Sequence, residues 1–273
     1  MPLDTKVYEK FPQYIVSEIE PGFVHVQFNN PKTLNAFAEQ DWRDYHEILV
    51  RLDSDPGTNV ILISSNVVKA FTSGLNLKSA ISLMMEATTL DDRVRFKNLY
   101  DFIGDFQYCV GTAARIRTPT IGLLNGINFG LAMDLSSTYS IRVATADVRM
   151  SIKEIKIGIP ADMGSLQRMP HLVSNKSLLY QYALTGEDFG AQEALNLGYV
   201  SKVVPDLKAG LEYCIKLGKN INQHQQWAIK GTKESIQKMV DGNTTEEGLR
   251  DIRVYNAENI DQKFINAIMG VKL

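Results

Sequence analysis

The segment of residues 126–168 reads GINFGLAMDLSSTYSIRVATADVRMSIKEIKIGIPADMGSLQR, and the rest of the chain is organised around it. It sets three acids, Asp134, Glu154 and Asp162, among mostly apolar and small residues. A carboxylate that water solvates poorly has a raised pKa and can exchange protons near neutral pH. The segment therefore predicts a proton-transfer site.

Local patterns place the three acids on different kinds of element. Residues 130–140 read as a helix, so Asp134 would lie near its first turns, where free backbone N–H groups stabilise anions. Apolar residues alternate with polar ones in 148–152, and continued pleating would point Glu154 to the apolar side. An inward acid without a partner costs stability, which favours a functional role over a solvated surface role. Asp162 precedes a helix, and a simple N-cap role there stays open.

Outside this segment, β-rich and helical runs alternate. Residues 14–19 and 23–28 predict a hairpin, and NVILIS at 59–64 predicts a parallel strand buried on both faces. KAFTSGLNL at 69–77 follows that strand, where open sheets place ligand-contacting loops, although a tight turn is the alternative. Further strands are predicted at 118–124, 141–144, 148–152 and 200–204, and helices at 35–52, 93–110, 174–184, 191–197, 207–220, 225–240, 244–254 and 257–268. The order predicts an α/β fold that becomes almost purely helical after Pro205.

The composition is that of an ordinary globular protein. With 273 residues and 44% hydrophobic content, the chain can bury a full core. A net charge of −2 without a long basic run argues against nucleic acid or an anionic membrane as the main partner, although local basic residues could hold phosphates. No apolar run approaches the roughly 18 residues of a membrane helix. Cys109 and Cys214 have no metal-ligand spacing, so we expect two buried thiols rather than a disulfide or a zinc site.

The two ends of the sequence bear on localisation. The start, MPLDTKVYEK, lacks the apolar core of a signal peptide and the Arg-rich bias of a transit peptide, which favours a reducing interior compartment. The end, Val271-Lys272-Leu273, is one residue away from the Ser-Lys-Leu peroxisomal address. An arbitrary tail is the alternative, and at this point the two interpretations stay open.

Five ordered blocks together resemble the crotonase (enoyl-CoA hydratase/isomerase) family. They are NNPKTLNAF at 29–37, KAFTSGLNL at 69–77, the strand–Asn-Gly–helix at 120–135, EIKIGIPADMGSLQRMP at 154–170 and ALTGEDFGAQEALNLGYVSKVV at 183–204. The resemblance covers residues 14–204 clearly and the helical tail more loosely. It implies a ββα spiral core, in which stacked turns of two near-perpendicular sheets are flanked by helices, and subunits that form homotrimers or homohexamers.

Within that family, the three acids resemble those of the dienoyl-CoA isomerases, which convert a 3,5-dienoyl thioester to the 2,4-dienoyl product. Hydratases have two glutamates at the positions of Asp134 and Glu154 and usually a small residue at that of Asp162. The resemblance implies that Asp162 is the base at C2, Glu154 the acid at C6, and Asp134 a buried acid that tunes and orients Glu154. It implies an acyl-CoA substrate and neither a cofactor nor a metal.

The same resemblance implies an oxyanion hole for the enolate that forms at the thioester oxygen. Its donors would be the backbone N–H groups of Leu75 and Leu131. Leu131 stands where relatives often have glycine, and Asn76 where they often have aspartate. The substrate-binding residues implied in this way are Ser73, Gly74, Leu75, Asn76, Leu77 and Leu131.

The resulting prediction is a crotonase-like catalytic core at residues 1–205 and a helical oligomerisation region at 206–273. The activity predicted is dienoyl-CoA isomerisation in the β-oxidation of unsaturated fatty acids. Alternatives are an enoyl-CoA hydratase, a 3-enoyl to 2-enoyl isomerase, and a non-catalytic scaffold or RNA binder, whose mark would be lost acids or a basic face. A fatty-acid isomerase fits the peroxisome, with an import receptor at the C-terminus, and the mitochondrion or cytoplasm are alternatives.

Overall fold

The computed structural model describes residues 3–78, 81, 89–261, 264–265 and 269. Its strands are β1 (Tyr14–Glu20), β2 (Phe23–Phe28), β3 (Val60–Ser65), β4 (Ala70–Thr72), β5 (Thr120–Leu124), β6 (Ile127–Phe129), β7 (Ile141–Thr145), β8 (Arg149–Ser151), β9 (Phe189–Gly190) and β10 (Lys202–Val204). A six-stranded sheet has the order β1-β2-β3-β5-β7-β10, and a four-stranded sheet has the order β4-β6-β8-β9. The β1–β2 and β8–β9 pairs are antiparallel, and the other neighbouring pairs are parallel.

Helices alternate with these strands and then dominate the C-terminal part. They are α1 (Glu39–Ser54), α2 (Asp92–Val110), α3 (Thr112–Arg115), α4 (Leu131–Ser136), α5 (Ser165–Leu172), α6 (Lys176–Thr185), α7 (Ala191–Asn196), α8 (Leu207–Asn222), α9 (Gln226–Val240) and α10 (Thr245–Asn259). Short 3-10 helices occur at Thr5–Tyr8 and Glu154–Ile157. This element order confirms the predicted α/β class with a helical C-terminal region.

Strand β3 is buried on both faces, as the NVILIS run predicts. Ile61 and Ile63 face the main core, whereas Val60 and Leu62 face a second core cluster that β2 and helix α8 complete. Helix α8 approaches closely because Gly218 has no side chain: an added Cβ would lie 2.1 Å from the Phe23 ring. The predicted boundary near Pro205 stays a prediction, but α8 packs directly on the six-stranded sheet.

The β1–β2 hairpin and the two buried thiols are confirmed. No helix in the described part of the chain is long and apolar enough to cross a membrane.

Two predicted elements next to the acids have different bounds. The helix predicted at 130–140 ends at Ser136, because the hydroxyls of Ser136, Ser137 and Thr138 donate to backbone carbonyls three or four residues earlier and compete with helical hydrogen bonds. The strand predicted at 148–152 ends at Ser151, and Glu154 opens a 3-10 helix. Continued strand pleating is therefore the wrong reason for the inward position of Glu154.

Other differences concern short or amphipathic segments. Strands β4, β6 and β9 were not predicted, since two or three residues carry no periodic signal. On α2, Phe96 was expected to face the core but is 71% exposed, and Phe102 and Phe106 pack against Trp42 instead. The predicted break between helices at 254–257 is wrong, because α10 is continuous to Asn259.

Two predictions fall largely on undescribed positions. Much of the 78–92 segment, predicted to be either a pocket lining or a surface loop, lies outside the described residues, as do Val271-Lys272-Leu273.

Candidate active site

The three acids of the opening segment line one cavity of about 590 Å³. Its described lining is mostly apolar and includes a small number of polar groups, which is typical of ligand sites. The lining residues are Ala38, Glu39, Trp42, Ser73, Gly74, Leu75, Leu77, Leu90, Asn98, Leu99, Phe102, Ile103, Phe106, Phe129, Gly130, Leu131, Asp134, Lys153, Glu154, Ile157, Ile159, Asp162 and Met163. The fold thus brings together carboxyl groups that are up to 28 positions apart in the sequence.

Asp134 lies on the short helix α4 and is only 1% exposed. Burial raises the pKa of its carboxyl to about 6, although a hydrogen bond from Ser165 opposes that rise. The bond runs from the backbone N–H of Ser165 to Asp134 Oδ1, at 2.7 Å. The expected N–H support for this anion therefore comes from the first turn of helix α5 rather than from the helix that carries Asp134.

Glu154 opens the 3-10 helix that follows β8. Burial, followed by repulsion from Asp134, raises the pKa of its carboxyl to about 7. Its Oε2 atom is buried without a hydrogen-bond partner in the described part of the chain. An unpaired, inward carboxyl group that titrates near neutrality is suited to proton exchange with a ligand.

Gly130 sets the position of the Glu154 carboxyl group. Its φ is +56°, and an added Cβ would lie 2.7 Å from Glu154 Oε1. The glycine is thus required twice, for its backbone conformation and for the space that the carboxylate occupies.

Asp162 lies in the loop before helix α5, and burial raises the pKa of its carboxyl. The N-cap of α5 is Gly164, and no side chain caps it, so the N-cap explanation for Asp162 is wrong. The Gln107 side chain on α2 donates to the Asp162 backbone carbonyl at 2.6 Å and ties this loop to the cavity wall. Asp162 is itself one of the residues that line the cavity.

The predicted oxyanion donors lie side by side. Leu75 and Leu131 both line the cavity, and an added Cβ on Gly74 would lie 3.7 Å from the Leu131 nitrogen. Neither of these two amides donates a backbone hydrogen bond to another residue that the structure describes. Positive φ among described non-glycine residues is confined to Leu34 and Asn35, so the Leu131 backbone is one that any residue adopts. The leucine at this position therefore requires no unusual backbone conformation, and its N–H as an oxyanion donor stays a prediction.

The turn at 29–37 holds the loop that carries Leu75. Asn35, which has a φ of +58°, donates from its buried side chain to Ser65 Oγ and to the Phe71 carbonyl, both at 2.8 Å. The Ser73 N–H donates to the Leu34 carbonyl at 2.9 Å, and the Phe37 N–H to the Gly74 carbonyl at 2.9 Å. This network fixes the backbone of the loop around Gly74, and preorganised donors require such support.

Five of the six predicted substrate-binding residues line the cavity: Ser73, Gly74, Leu75, Leu77 and Leu131. Asn76 is not among the described lining residues, and its N–H donates to the Phe37 carbonyl at 2.8 Å. The sequence prediction missed the wall that α1 and α2 build with Trp42, Phe102 and Phe106, because an apolar helical face reads the same whether it meets a core or a cavity. Lys153 was also missed, and it is the one cation of the described lining.

No group of three or more His, Cys, Asp or Glu side chains is arranged to hold a metal ion within the described ranges. Chemistry without a metal or cofactor stays a prediction.

Residues 18–265 match the family model described as enoyl-CoA hydratase/isomerase. The chain belongs to the enoyl-CoA hydratase/isomerase family, which confirms the predicted resemblance. The match supports an enzyme activity of the hydratase/isomerase type.

Two relatives and one solved structure illustrate the similarity within the family. The chain is 31% identical to the mitochondrial Delta(3,5)-Delta(2,4)-dienoyl-CoA isomerase of Mus musculus, over 81% of this chain and 67% of that protein. It is 29% identical to the peroxisomal Delta(3,5)-Delta(2,4)-dienoyl-CoA isomerase of Arabidopsis thaliana, over 96% of this chain and 93% of that protein. The crystal structure of an enoyl-CoA hydratase from Bacillus anthracis superposes with a TM-score of 0.81 at 20% identity, covering 94% of this chain and 95% of that one, and shows the common fold.

Proposed function

We propose that this chain is a dienoyl-CoA isomerase that converts 3,5-dienoyl-CoA to 2,4-dienoyl-CoA. The observation that carries the proposal is Asp162, a third carboxyl group in the same cavity as Asp134 and Glu154. Proton removal at C2 and proton delivery at C6 need two separated acid–base groups, and a third acid can adjust their charges. The names of relatives at about 30% identity support the same activity.

In the proposed reaction, the Asp162 carboxylate removes a proton from C2. The electron pair of that C–H bond forms a C1=C2 double bond, and the π pair of the thioester carbonyl moves to its oxygen, which takes up the negative charge of a conjugated enolate. The backbone N–H groups of Leu75 and Leu131 donate to that oxygen. When the carbonyl re-forms, the C1=C2 pair moves to C2=C3, the C3=C4 pair moves to C4=C5, and the C5=C6 pair takes a proton at C6. Protonation at C6 by Glu154 then leaves double bonds at C2 and C4. The substrate gains and loses one proton, so no oxidant or reductant takes part.

The charge states of the two acids suit these roles. With its pKa raised to about 7, Glu154 still carries its proton in a large share of the molecules at neutral pH and can donate it. Asp162 is half-buried, and it is a stronger base than an exposed aspartate because burial raises its pKa. Asp134 contributes the repulsion that favours the protonated form of Glu154.

An ultraviolet assay of the purified chain tests the proposal. With 3,5-dienoyl-CoA we expect growth of the conjugated 2,4-dienoyl absorbance, and Asp162→Asn should abolish it because the amide cannot accept the C2 proton. The matched control is Asp101→Asn, which makes the same change at an exposed side chain on α2. Near-normal turnover of the Asp162 variant would refute the assignment. If the chain consumes only 2-enoyl-CoA, with loss of enoyl absorbance, the result would favour a hydratase. If it turns over neither substrate, the result would favour a scaffold.

Assembly and localisation belong to the same proposal. A homotrimer or homohexamer predicts a mass of three or six times 30.6 kDa by light scattering. Relatives are named both as peroxisomal and as mitochondrial proteins, and we propose the peroxisome. Imaging of a fluorescent fusion, with and without the final three residues, distinguishes the peroxisome from the mitochondrion and the cytoplasm and tests the proposed import receptor.

A further inference from the structure

Arg168, on helix α5, lies directly behind the loop that carries Asp162. Its Nη1 atom donates to the Met163 carbonyl at 3.2 Å. The guanidinium packs so closely on Gly164 that an added Cβ there would lie 1.9 Å from Nη1. Gly164 has a φ of +121°, so glycine is suited to this position both by its backbone and by the space that the guanidinium fills. The side chain is thereby folded back over the first turn of its own helix.

The same turn holds Asp134. Its oxygen accepts from the Ser165 N–H, and Ser165 follows the glycine on which the guanidinium lies. The attraction of Arg168 lowers the pKa of Asp134 and opposes the larger effect of burial. Within the described part of the chain, Arg168 is the one cation whose charge acts on Asp134 in this way. An arginine remains charged throughout the working pH range, so its effect on Asp134 is permanent.

We propose that Arg168 is a positioning residue that keeps Asp134 ionised, so that the proton of the Asp134–Glu154 pair resides on Glu154, where substrate can receive it. The inference rests on the proposed function, because it assigns Glu154 the role of acid. Arg168 does not line the cavity that holds the acids, and it acts on the reaction through Asp134.

The other charges around the pair do not supply the same effect. The negative charge of Asp162 disfavours the ionised form of Asp134. Glu154 competes with Asp134 for the proton, since the charge of Asp134 disfavours the ionised form of Glu154. The remaining ionisable groups that act on Asp134 or Arg168 are Tyr199, which interacts with both, and Arg115, Asp241 and Tyr45, which interact with Arg168. Arg115 repels Arg168, and the two guanidinium groups flank Gly111, where an added Cβ would lie 2.6 Å from Arg115 Nη1 and 3.1 Å from Arg168 Nη2.

The sign of the expected change follows from these contacts. In Arg168→Gln, Asp134 loses its cation and holds a proton to higher pH. A neutral Asp134 no longer repels the charged form of Glu154, so Glu154 loses its proton at lower pH. The proton would thus move from Glu154 to Asp134, and Glu154 could no longer act as the proposed acid.

Two readouts test the proposal on the full chain. In carboxyl ¹³C NMR titrations we expect Asp134 to ionise before Glu154 in the wild type, with the two titrations moving by about one pH unit in opposite directions in Arg168→Gln. In the dienoyl-CoA assay, we expect the high-pH limb of kcat to move to lower pH by a similar amount. At pH 8, kcat should fall by up to about tenfold with little change in KM. Arg168→Lys keeps the charge and should restore most of the limb.

Arg115→Gln is the matched control, since it removes the neighbouring guanidinium and should leave both titrations in place. An unchanged Asp134 titration in Arg168→Gln, or an equal shift in Arg115→Gln, would overturn the proposal. If Arg168→Gln does not fold, two other results refute the proposal. One is that Asp134 ionises after Glu154 in the wild type. The other is that Arg168→Lys displaces the high-pH limb of kcat by the full amount expected for Arg168→Gln. A wild type without dienoyl-CoA turnover would refute the proposed function and leave the NMR titration to decide the role of Arg168.

Discussion

Gly130→Ala tests whether the position of the Glu154 carboxyl group is set by the missing side chain at residue 130. An added Cβ would lie 2.7 Å from Glu154 Oε1, whereas ordinary contact begins near 3.4 Å, so the carboxylate must retreat by about 0.7 Å. A misplacement of about 1 Å at a reacting group costs about 100-fold in rate. We therefore expect kcat/KM for 3,5-dienoyl-CoA to fall by about 10- to 100-fold.

The substitution also has a backbone cost, which must be separated from the collision. A non-glycine residue held at φ +56°, ψ −115° costs about 1–3 kcal/mol of stability. Gly158→Ala is the matched control because Gly158 has a φ of +88°, ends the 3-10 helix that Glu154 begins, and has no atom within 4 Å of an added Cβ. It should lose a smaller stability in urea unfolding, because its ψ of +16° lies in the left-handed region that L residues can adopt, and it should retain its activity.

Comparison of the two variants separates the steric effect on Glu154 from the effect of backbone strain. Near-normal kcat/KM in Gly130→Ala, measured where the variant is fully folded, would contradict the steric argument. An equal loss of activity in Gly158→Ala would show that backbone strain, and not the displaced carboxylate, controls the site.

Three further outcomes follow from the same geometry. The pKa of Glu154 is raised from its ordinary 4.5 to about 7, so its contribution to stability is present below pH 4.5 and is lost as the pH rises through about 7. Glu154→Gln should therefore raise the free energy of unfolding by about 2–3 kcal/mol at pH 8 and leave it nearly unchanged at pH 4, as urea titrations at the two values would show. The wild-type kcat should decline as the pH rises through about 7, where Glu154 loses its proton, and a flat profile from pH 6 to 9 would remove Glu154 from the acid role. Asn35→Gly keeps a residue suited to φ +58° but removes the side-chain bonds to Ser65 and Phe71, so we expect a loss of about 2–3 kcal/mol in chemical unfolding. A loss below about 0.5 kcal/mol, the low end of the net value for a single hydrogen bond, would contradict their role.

Much of the core architecture was predictable from residue patterns. Strand β3 could be recognised because an apolar β-branched run specifies burial on both faces, and the hairpin β1–β2 because Pro21 and Gly22 interrupt two such runs. Elements of two or three residues, such as β4 and β6, could not be recognised, since their stability comes from pairing with each other rather than from their own sequence. The early end of helix α4 was equally hidden, because side-chain hydroxyls that compete with helical bonds leave the helical spacing intact.

The acids illustrate the same limit within the site. Apolar neighbours in the sequence correctly indicated that Asp134 is buried and that its pKa is raised. The inward position of Glu154 was predicted for the wrong reason, because the strand ends before it and a 3-10 helix directs it. The N-cap alternative for Asp162 could be removed only when the structure showed Gly164 at the helix start.

The sequence by itself determined the identity of the acidic groups, the burial of their surroundings and the α/β class, because local periodicity and composition encode how much water each segment excludes. The family was predicted from the resemblance of five ordered motifs. The tertiary structure alone decided which groups meet. It brings the Ser165 N–H to Asp134 and places the guanidinium of Arg168 behind them. It also sets the amides of Leu75 and Leu131 side by side. Each of these arrangements joins segments that are tens of residues apart. Such contacts depend on sheet register and on the close approach that glycines 74, 130 and 164 permit, and neither property can be read from the sequence of one segment.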